Sequence, residues 1–394
     1  MTAEYQISHD DVRETRQVIG ARLRLPLDPP ATPALASLTA QERRIDPIER
    51  DIDVVTTPSK AEPVKDALTK VEFEKVGYVR GGGDLTATSS AAGANSLIVA
   101  TGGTITGSQQ LLGQQTLQGG ASTINVQGVK SGTIAPFTAP GTRPTFFNDQ
   151  ESSTISVLGC SEHIAGIDLK GADPVDWGSV PFNAGITDDC SCTPVLNTFI
   201  ENVNINQFAF AGISFGDGSE VTIRNTAVSN IGGYGIQFFD GNTVTITNTV
   251  VNQIGAFGIA FGNGNIFTIN QTQISEVCCA GIYFGRHNTG EITNTTITDA
   301  VLNGIVGDSF NTVTIAGVNI SHTGAEAILF NYRNTVSIRN TSATTASPSR
   351  ITTTGSRYPI RASLVSARWA SRCATTTRTS RSPAPPSAKY AARA

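Results

Sequence analysis

Between residues 199 and 342 the apolar and polar positions repeat with a step of 23 residues. Gly-Ile pairs stand at 212–213, 235–236, 258–259, 281–282 and 304–305, and Ala327-Ile328 continues the series. In the same frame Ile223, Ile246, Ile269, Ile292, Ile315 and Ile338 form a second column, and Val228, Val251, Ile274, Ile297 and Ile320 a third. Phe215, Phe238, Phe261, Phe284 and Phe330 form a fourth, Ile200 and Ile205 fit one step earlier, and no gap is needed. Each period holds three short β-favouring segments, of the types G-I-x-F, V-T-I and V/I-S/N, bounded by Gly, Asn or Asp.

One such unit cannot bury its apolar side alone. Stacked units can, because equivalent positions then lie above one another at a strand spacing of about 4.8 Å. Three strands per period predict an all-β fold, a right-handed single-stranded parallel β-helix with 23-residue rungs. Leucine-rich repeats have similar lengths but need a leucine framework that is missing, and helical repeats need a periodicity that is missing too.

Two columns of asparagine run through the frame. Asn242, Asn265, Asn288, Asn311 and Asn334 form one, preceded by Ser219; Asn202, Asn225, Asn248, Asn294 and Asn340 form the other, broken by Gln271 and Gly317. A side-chain amide donates and accepts, so stacked amides can bond to the next rung and to their own turn. Both columns are predicted to be structural ladders.

Outside the regular rungs the pattern loosens. Residues 95–128 and 152–171 have the same short-strand texture without the strict period, so the β-helix is expected to span 95–342, with a loop extruded at 172–197. Residues 28–94 read as a charged, Pro-containing linker, in which Thr39 and Glu42 are spaced as a capping box. "QVIGARLRLPL" (17–27) alternates strictly, and "AEYQI" (3–7) alternates before the turn-like "SHDDVRE". Residues 1–27 therefore fit either one hairpin of an outer-membrane barrel or an edge hairpin of a soluble domain.

Composition sharpens this picture at one end. Charged residues are only 15% of the chain, and the net charge of −4 gives no reason to expect nucleic acid as a partner. Yet residues 343–394 carry eight arginines and Lys389 with no acid, while the period fails there. That segment is expected to be a basic disordered tail, either the product of a frameshift or a genuine tail for an anionic surface. No apolar run is long enough for a transmembrane helix, and residues 1–30 lack the apolar core of a signal peptide.

The order of hairpin, linker and β-helix, with "ARLRLPL", "LTAQERR" and "GGTITGSQQLLGQQTLQGG" followed by "FTAPGTRPT", resembles the bacterial inverse autotransporters of the intimin and invasin type. The resemblance implies a β-helix passenger, adhesive or of unknown activity, held at the outer membrane by an N-terminal barrel. Of that barrel this chain carries at most one hairpin, so the resemblance implies a chain cut at both ends. It further implies a cell-surface location and a host-surface or extracellular polysaccharide as partner, with membrane contact only through the missing barrel.

The chemistry-bearing residues are few. Asp217 and Asp240 occupy equivalent positions one rung apart, and Asn263, Arg286, Ser309 and Tyr332 continue the column. In register the two carboxylates would lie about 5 Å apart, the separation of a retaining glycosidase pair. Arg286 could bind a uronate. The alternative function is thus a polysaccharide lyase or glycoside hydrolase, and the bland alternative is that "GDG" and "FDGN" are turns. No cofactor is called for; the same two carboxylates could share a calcium ion, which nothing else supports. Cys278-Cys279 fall in a turn, Cys190 and Cys192 form a weak metal motif, and Tyr234 and Phe257 stack as a sugar platform or as packing.

Overall fold

Alternation decides which way each residue of a rung points. In the strand Thr243–Thr247 the side chains of Val244 and Ile246 are buried, while those of Thr243, Thr245 and Thr247 face outward. The computed structural model describes residues 2–10, 14–22, 62–150, 152–159, 161–172, 183–188, 197–345, 351–354 and 362–364. The chain divides into two units, residues 1–60 and 61–394.

In the first unit Thr2–Asp10 pairs antiparallel with Glu14–Arg22, Tyr5 opposite Ile19. The hairpin was expected, but its strands run on through residues placed in the turn, to Asp10 and from Glu14. The linker residues 28–60, Thr39 and Glu42 among them, lie outside the described residues.

The second unit is a parallel solenoid. Among the described residues its first sheet has 11 strands, from Lys75–Arg80 to Thr335–Arg339; its second has 11, from Thr104–Thr106 to Ala362–Leu364; its third has 10, from Gln109–Leu111 to Ile351–Thr354. Each turn of chain visits the three sheets in that order, and every regular pairing is in register across 23 residues, such as Ile246 with Ile269. The apolar columns meet inside: Phe215, Phe238 and Phe261 stack at 5.9 and 5.4 Å. The glycine of each Gly-Ile pair is needed for close approach. A Cβ on Gly258 would lie 2.5 Å from the carbonyl oxygen of Gly281 in the next turn.

The two asparagine columns sit at different corners and do different work. At the corner between the third and first sheets Asn242, Asn265, Asn288 and Asn311 are essentially fully buried. Asn265 Oδ1 accepts the backbone N–H of Asn242 at 2.7 Å, and Asn288 Oδ1 that of Asn265 at 2.9 Å. Their Nδ2 groups donate to the carbonyls of Phe239 and Gly262 at 2.9 Å. This is the predicted ladder. At the corner between the first and second sheets Asn225, Asn248 and Asn294 are exposed, and their common property is a left-handed backbone with φ of 51, 49 and 47°. Gln271 and Gly317, which break the column as an amide ladder, keep it as a conformational one, at 50 and 65°. Within the column one amide bond survives, Asn248 Nδ2 to Asn225 Oδ1 at 2.7 Å, and Asn294 Nδ2 donates instead to Asn270 Oδ1 at 3.1 Å. The ladder reading of this second column is corrected to a turn requirement, which Asn meets better than other side-chain-bearing residues.

The early turns extend further than the sequence reading placed them. Lys75–Arg80 is already a strand of the first sheet, so residues 75–94 are part of the solenoid and not of a linker. Asp84 caps the helix Leu85–Ala92 by accepting the N–H of Ala87 at 3.1 Å, and Leu85 and Ala92 enter the main core. This helix stands where the second- and third-sheet strands of the first turn would be, and closes the apolar interior. A three-stranded antiparallel sheet, Val64–Asp66, Thr123–Gly128 and Ile134–Thr138, forms a separate core that joins Ile124 and Ala139 to Leu97, Val99 and Ala165. Within the expected loop 172–197, Ala184–Asp188 is a third-sheet strand paired on both sides. Beyond residue 343, Ile351–Thr354 and Ala362–Leu364 still pair in parallel with the turn before them; residues 365–394 lie outside the described residues.

Candidate functional site

The third-to-first corner brings the acid column together as the frame requires, but gives it backbone partners. Asp217 Oδ1 accepts the N–H of Asp240 at 2.9 Å, and Asp240 Oδ1 accepts that of Asn263 at 2.6 Å. Asn263 Oδ1 in turn accepts the N–H of Arg286 at 2.9 Å. Each side chain therefore caps the turn that follows it, because a turn leaves one N–H without a strand partner. The Arg286 side chain extends away from the column to Asp308, with Nε 3.4 Å from Oδ2. All four residues are exposed. The geometry of this column is that of a set of turn caps.

Beside it, the outer face of the third sheet carries a row of rings. Phe210 and Tyr234 have centroids 6.1 Å apart, Tyr234 and Phe257 6.0 Å, and Phe257 and Tyr283 4.9 Å. Phe210 and Tyr283 were not paired with Tyr234 and Phe257 from the sequence, because both fall off the 23-residue frame: Phe210 aligns with Gly233, and Tyr283, within Ile282–Phe284, aligns with Ala260. All four are half-buried. Burial, together with the charge on Asp308 and the neighbouring Tyr234 and against the charge on Arg286, raises the Tyr283 phenol above its ordinary value. The ring row thus runs into the Arg286–Asp308 pair.

A buried ionic network was invisible in the sequence. His163 Nδ1 lies 2.6 Å from Asp66 Oδ2, and its Nε2 lies 3.0 Å from Glu201 Oε1. Arg224 Nε donates to Glu201 Oε2 at 2.5 Å, and Thr116 Oγ1 donates to Asp66 Oδ2 at 3.0 Å. His163 occupies an outward position of the first sheet, opposite Thr116 and Phe199, and is buried along with Asp66, which brings the Val64–Asp66 strand to it. Burial opposes the imidazolium, but the hydrogen bonds and charges of Asp66 and Glu201 outweigh it and raise His163 to about 9. Asp66 and Glu201 are lowered: burial opposes their charge, and the His163 contacts prevail. Next to it Glu162 is pushed up to about 7 by burial, against the Thr198 hydroxyl and a backbone N–H and helped by the charge on Asp188. The centre of the network, His163 with Asp66, is closed to solvent and joins segments, while Arg224 at its edge is partly exposed. A lone histidine 97 residues from its aspartate carries no local signal.

Among the described residues no group of three or more His, Cys, Asp or Glu is placed to hold a metal ion. Cys278 and Cys279 take the corner positions expected, their N–H groups bonded to the carbonyls of Ile254 and Ala256. Cys190 and Cys192 lie outside the described residues.

Residues 184–343 match a family model described as right handed beta helix region. Over those residues the chain is similar to that family, and its fold is a right-handed parallel β-helix. No curated protein matches it in sequence. Among solved structures, the enzymatically active domain of bacteriophage CBA120 tailspike protein 2 shares 14% identity at a TM-score of 0.48, covering 74% of this chain and 43% of that one. The full-length tailspike protein 2, from an Escherichia coli O157:H7 bacteriophage, gives 14% and 0.49, with 74% of this chain covered and 38% of the other. Pectate lyase Pel9A gives 13% and 0.45, with 71% and 72% covered. The β-helix chain thus spans less than half the length of the tailspike chains.

Proposed function

We propose that this β-helix is a non-catalytic glycan-binding stalk displayed on a bacterial surface. The observation that carries the reading is the row Phe210, Tyr234, Phe257 and Tyr283, one ring per turn at centroid separations between 4.9 and 6.1 Å. Aromatic faces receive the apolar faces of sugar rings, and their edges and hydroxyls remain available to water or hydroxyl partners. A row along the solenoid axis suits an extended polysaccharide better than a single sugar. The turn-capping roles of Asp217 and Asp240 support binding over catalysis, since each carboxylate already stabilises the next turn. Surface display is supported by the resemblance to inverse autotransporters.

The test is calorimetric binding to pectin, alginate, hyaluronate and glycosaminoglycans, with product release followed on the same panel. Binding without turnover is expected. The Tyr234→Ala, Phe257→Ala double variant should weaken it by about 5- to 150-fold, as two rings at about 0.5–1.5 kcal/mol each would. Turnover that disappears in an Asp217→Asn, Asp240→Asn double variant of unchanged fold would replace this reading with an enzymatic one.

A further inference from the structure

The third-to-first corner changes character half-way along the stack. In three turns its left-handed position is glycine, Gly218, Gly241 and Gly264, with φ of 73, 72 and 68°. In the next three the same position is held by His287, Phe310 and Arg333, at φ of 59, 61 and 54°. Bulky L-residues are disfavoured in that conformation, and glycine is not. All three side chains are exposed, Phe310 at 41%, and their ring and guanidinium contacts, weak at exposed sites, offset only part of the penalty carried at each of the three positions. Folding alone therefore favours glycine at each position, and an outlier of this kind points to a use outside folding.

With Tyr332, the three residues build a slab of packed rings topped by a guanidinium. His287 and Phe310 stack at 4.9 Å with their planes 5° apart, and Phe310 meets Tyr332 edge-on at 6.2 Å. The Arg333 guanidinium lies 4.7 Å from the Tyr332 centroid and 5.8 Å from that of Phe310. Arg286, its side chain 63% exposed, stands at the edge of the slab with Asp308 opposite it. Among the described residues Arg333 has no carboxylate partner, so the slab carries an unneutralised cation.

We propose that this slab binds the carboxylate-bearing sugars of an acidic polysaccharide. The exposed edges of the stacked rings pack against a uronate-type sugar, and the Arg333 guanidinium pairs with its carboxylate. The inference rests on the glycan-binding reading above and narrows it to anionic chains. The observation that selects this class is the juxtaposition of exposed, stacked rings with an unpaired guanidinium; a neutral glycan would have no use for the second feature.

The variant that tests it is His287→Gly, Phe310→Gly, Arg333→Gly, which restores the residue that three neighbouring turns already use. Its thermal midpoint should equal or exceed that of the unmodified chain. Binding to polygalacturonate and alginate, and to neutral dextran, is measured by calorimetry at low and high salt. The unmodified chain should prefer the acidic polymers and lose that preference in high salt. The glycine variant should bind the acidic polymers at least about tenfold more weakly, as expected for loss of a charge-assisted pair. The Tyr234→Ala, Phe257→Ala variant should lose affinity for acidic and neutral chains alike. Equal binding of acidic and neutral polymers by the unmodified chain overturns the anionic assignment while sparing the general one. Undiminished acidic binding by the glycine variant overturns the slab as the site. Failure to bind any polymer sinks both readings, and self-association lost in the glycine variant would assign the slab to a second copy instead.

Discussion

The later turns and the early turns both bury polar groups between coils, and they satisfy them by different means. From Asn242 to Asn334 a single residue type, repeated every turn, accepts one backbone N–H from the preceding turn and donates to one carbonyl. Around His163 the same need is met once, by four different ionisable residues drawn from positions 66, 163, 201 and 224. Repetition makes the first solution uniform and replaceable turn by turn. The second has no spare copy, and it ties the three-stranded covering sheet to the solenoid beside the separate apolar core of Ile124, Ala139, Leu97, Val99 and Ala165.

Substitution should expose that difference. The largest loss is expected for His163→Leu, which leaves Asp66 buried without its counter-charge. Breaking a buried pair from one side costs about 3–5 kcal/mol, and chemical denaturation should show it, with exchange protection lost first in Val64–Asp66. An unaltered midpoint would mean the network is not needed. The same histidine gives the comparison a pH dependence. With His163 raised to about 9 in the folded chain, its contribution is fully present below its ordinary 6.5 and is lost as pH rises through 9. Glu162, raised to about 7, acts in the same direction from 4.5 upward. The thermal midpoint should therefore fall between pH 6.5 and 9, and that fall should shrink in His163→Leu.

An interruption of the ladder should cost less. Asn288→Ala leaves the N–H of Asn265 without its partner and the carbonyl of Gly262 with only the bond from Gly285 at 3.2 Å, and a buried orphan costs about 1–3 kcal/mol. Urea titration measures it, and a loss under about 0.5 kcal/mol, within the range of a neutral surface change, would deny the column its role. The smallest effect belongs to the exposed corner. Asn248→Gly should be nearly neutral, and Asn248→Ala should cost about 1 kcal/mol, because what that corner requires is a φ of 49°. Equal effects of the two substitutions would instead favour the amide bond to Asn225.

These cases mark how far the sequence could be read. Both asparagine columns were visible as columns, since the period alone aligns Asn242 with Asn265 and Asn225 with Asn248. Their roles were not separable, because periodicity reports that positions are equivalent and not whether they are buried. The acid column was placed correctly on one corner, but a side-chain carboxylate reaching the N–H one turn away is a matter of angle and distance. Tyr283 joined the ring row because Phe257 reaches over the next strand, a displacement that breaks the period.

The sequence by itself determined the rung: its length, its three strands, its interior columns and the register between turns. Those follow from side-chain size and polarity repeated at a fixed interval, where every turn sees the same neighbours above and below. Only the tertiary structure decided what happens where that sameness ends. The helix Leu85–Ala92 closes the interior, the Val64–Asp66 strand brings a carboxylate to His163, and His287, Phe310 and Arg333 come together as one surface. In each case the partners are set by folding of unlike segments, so no interval in the chain announces them.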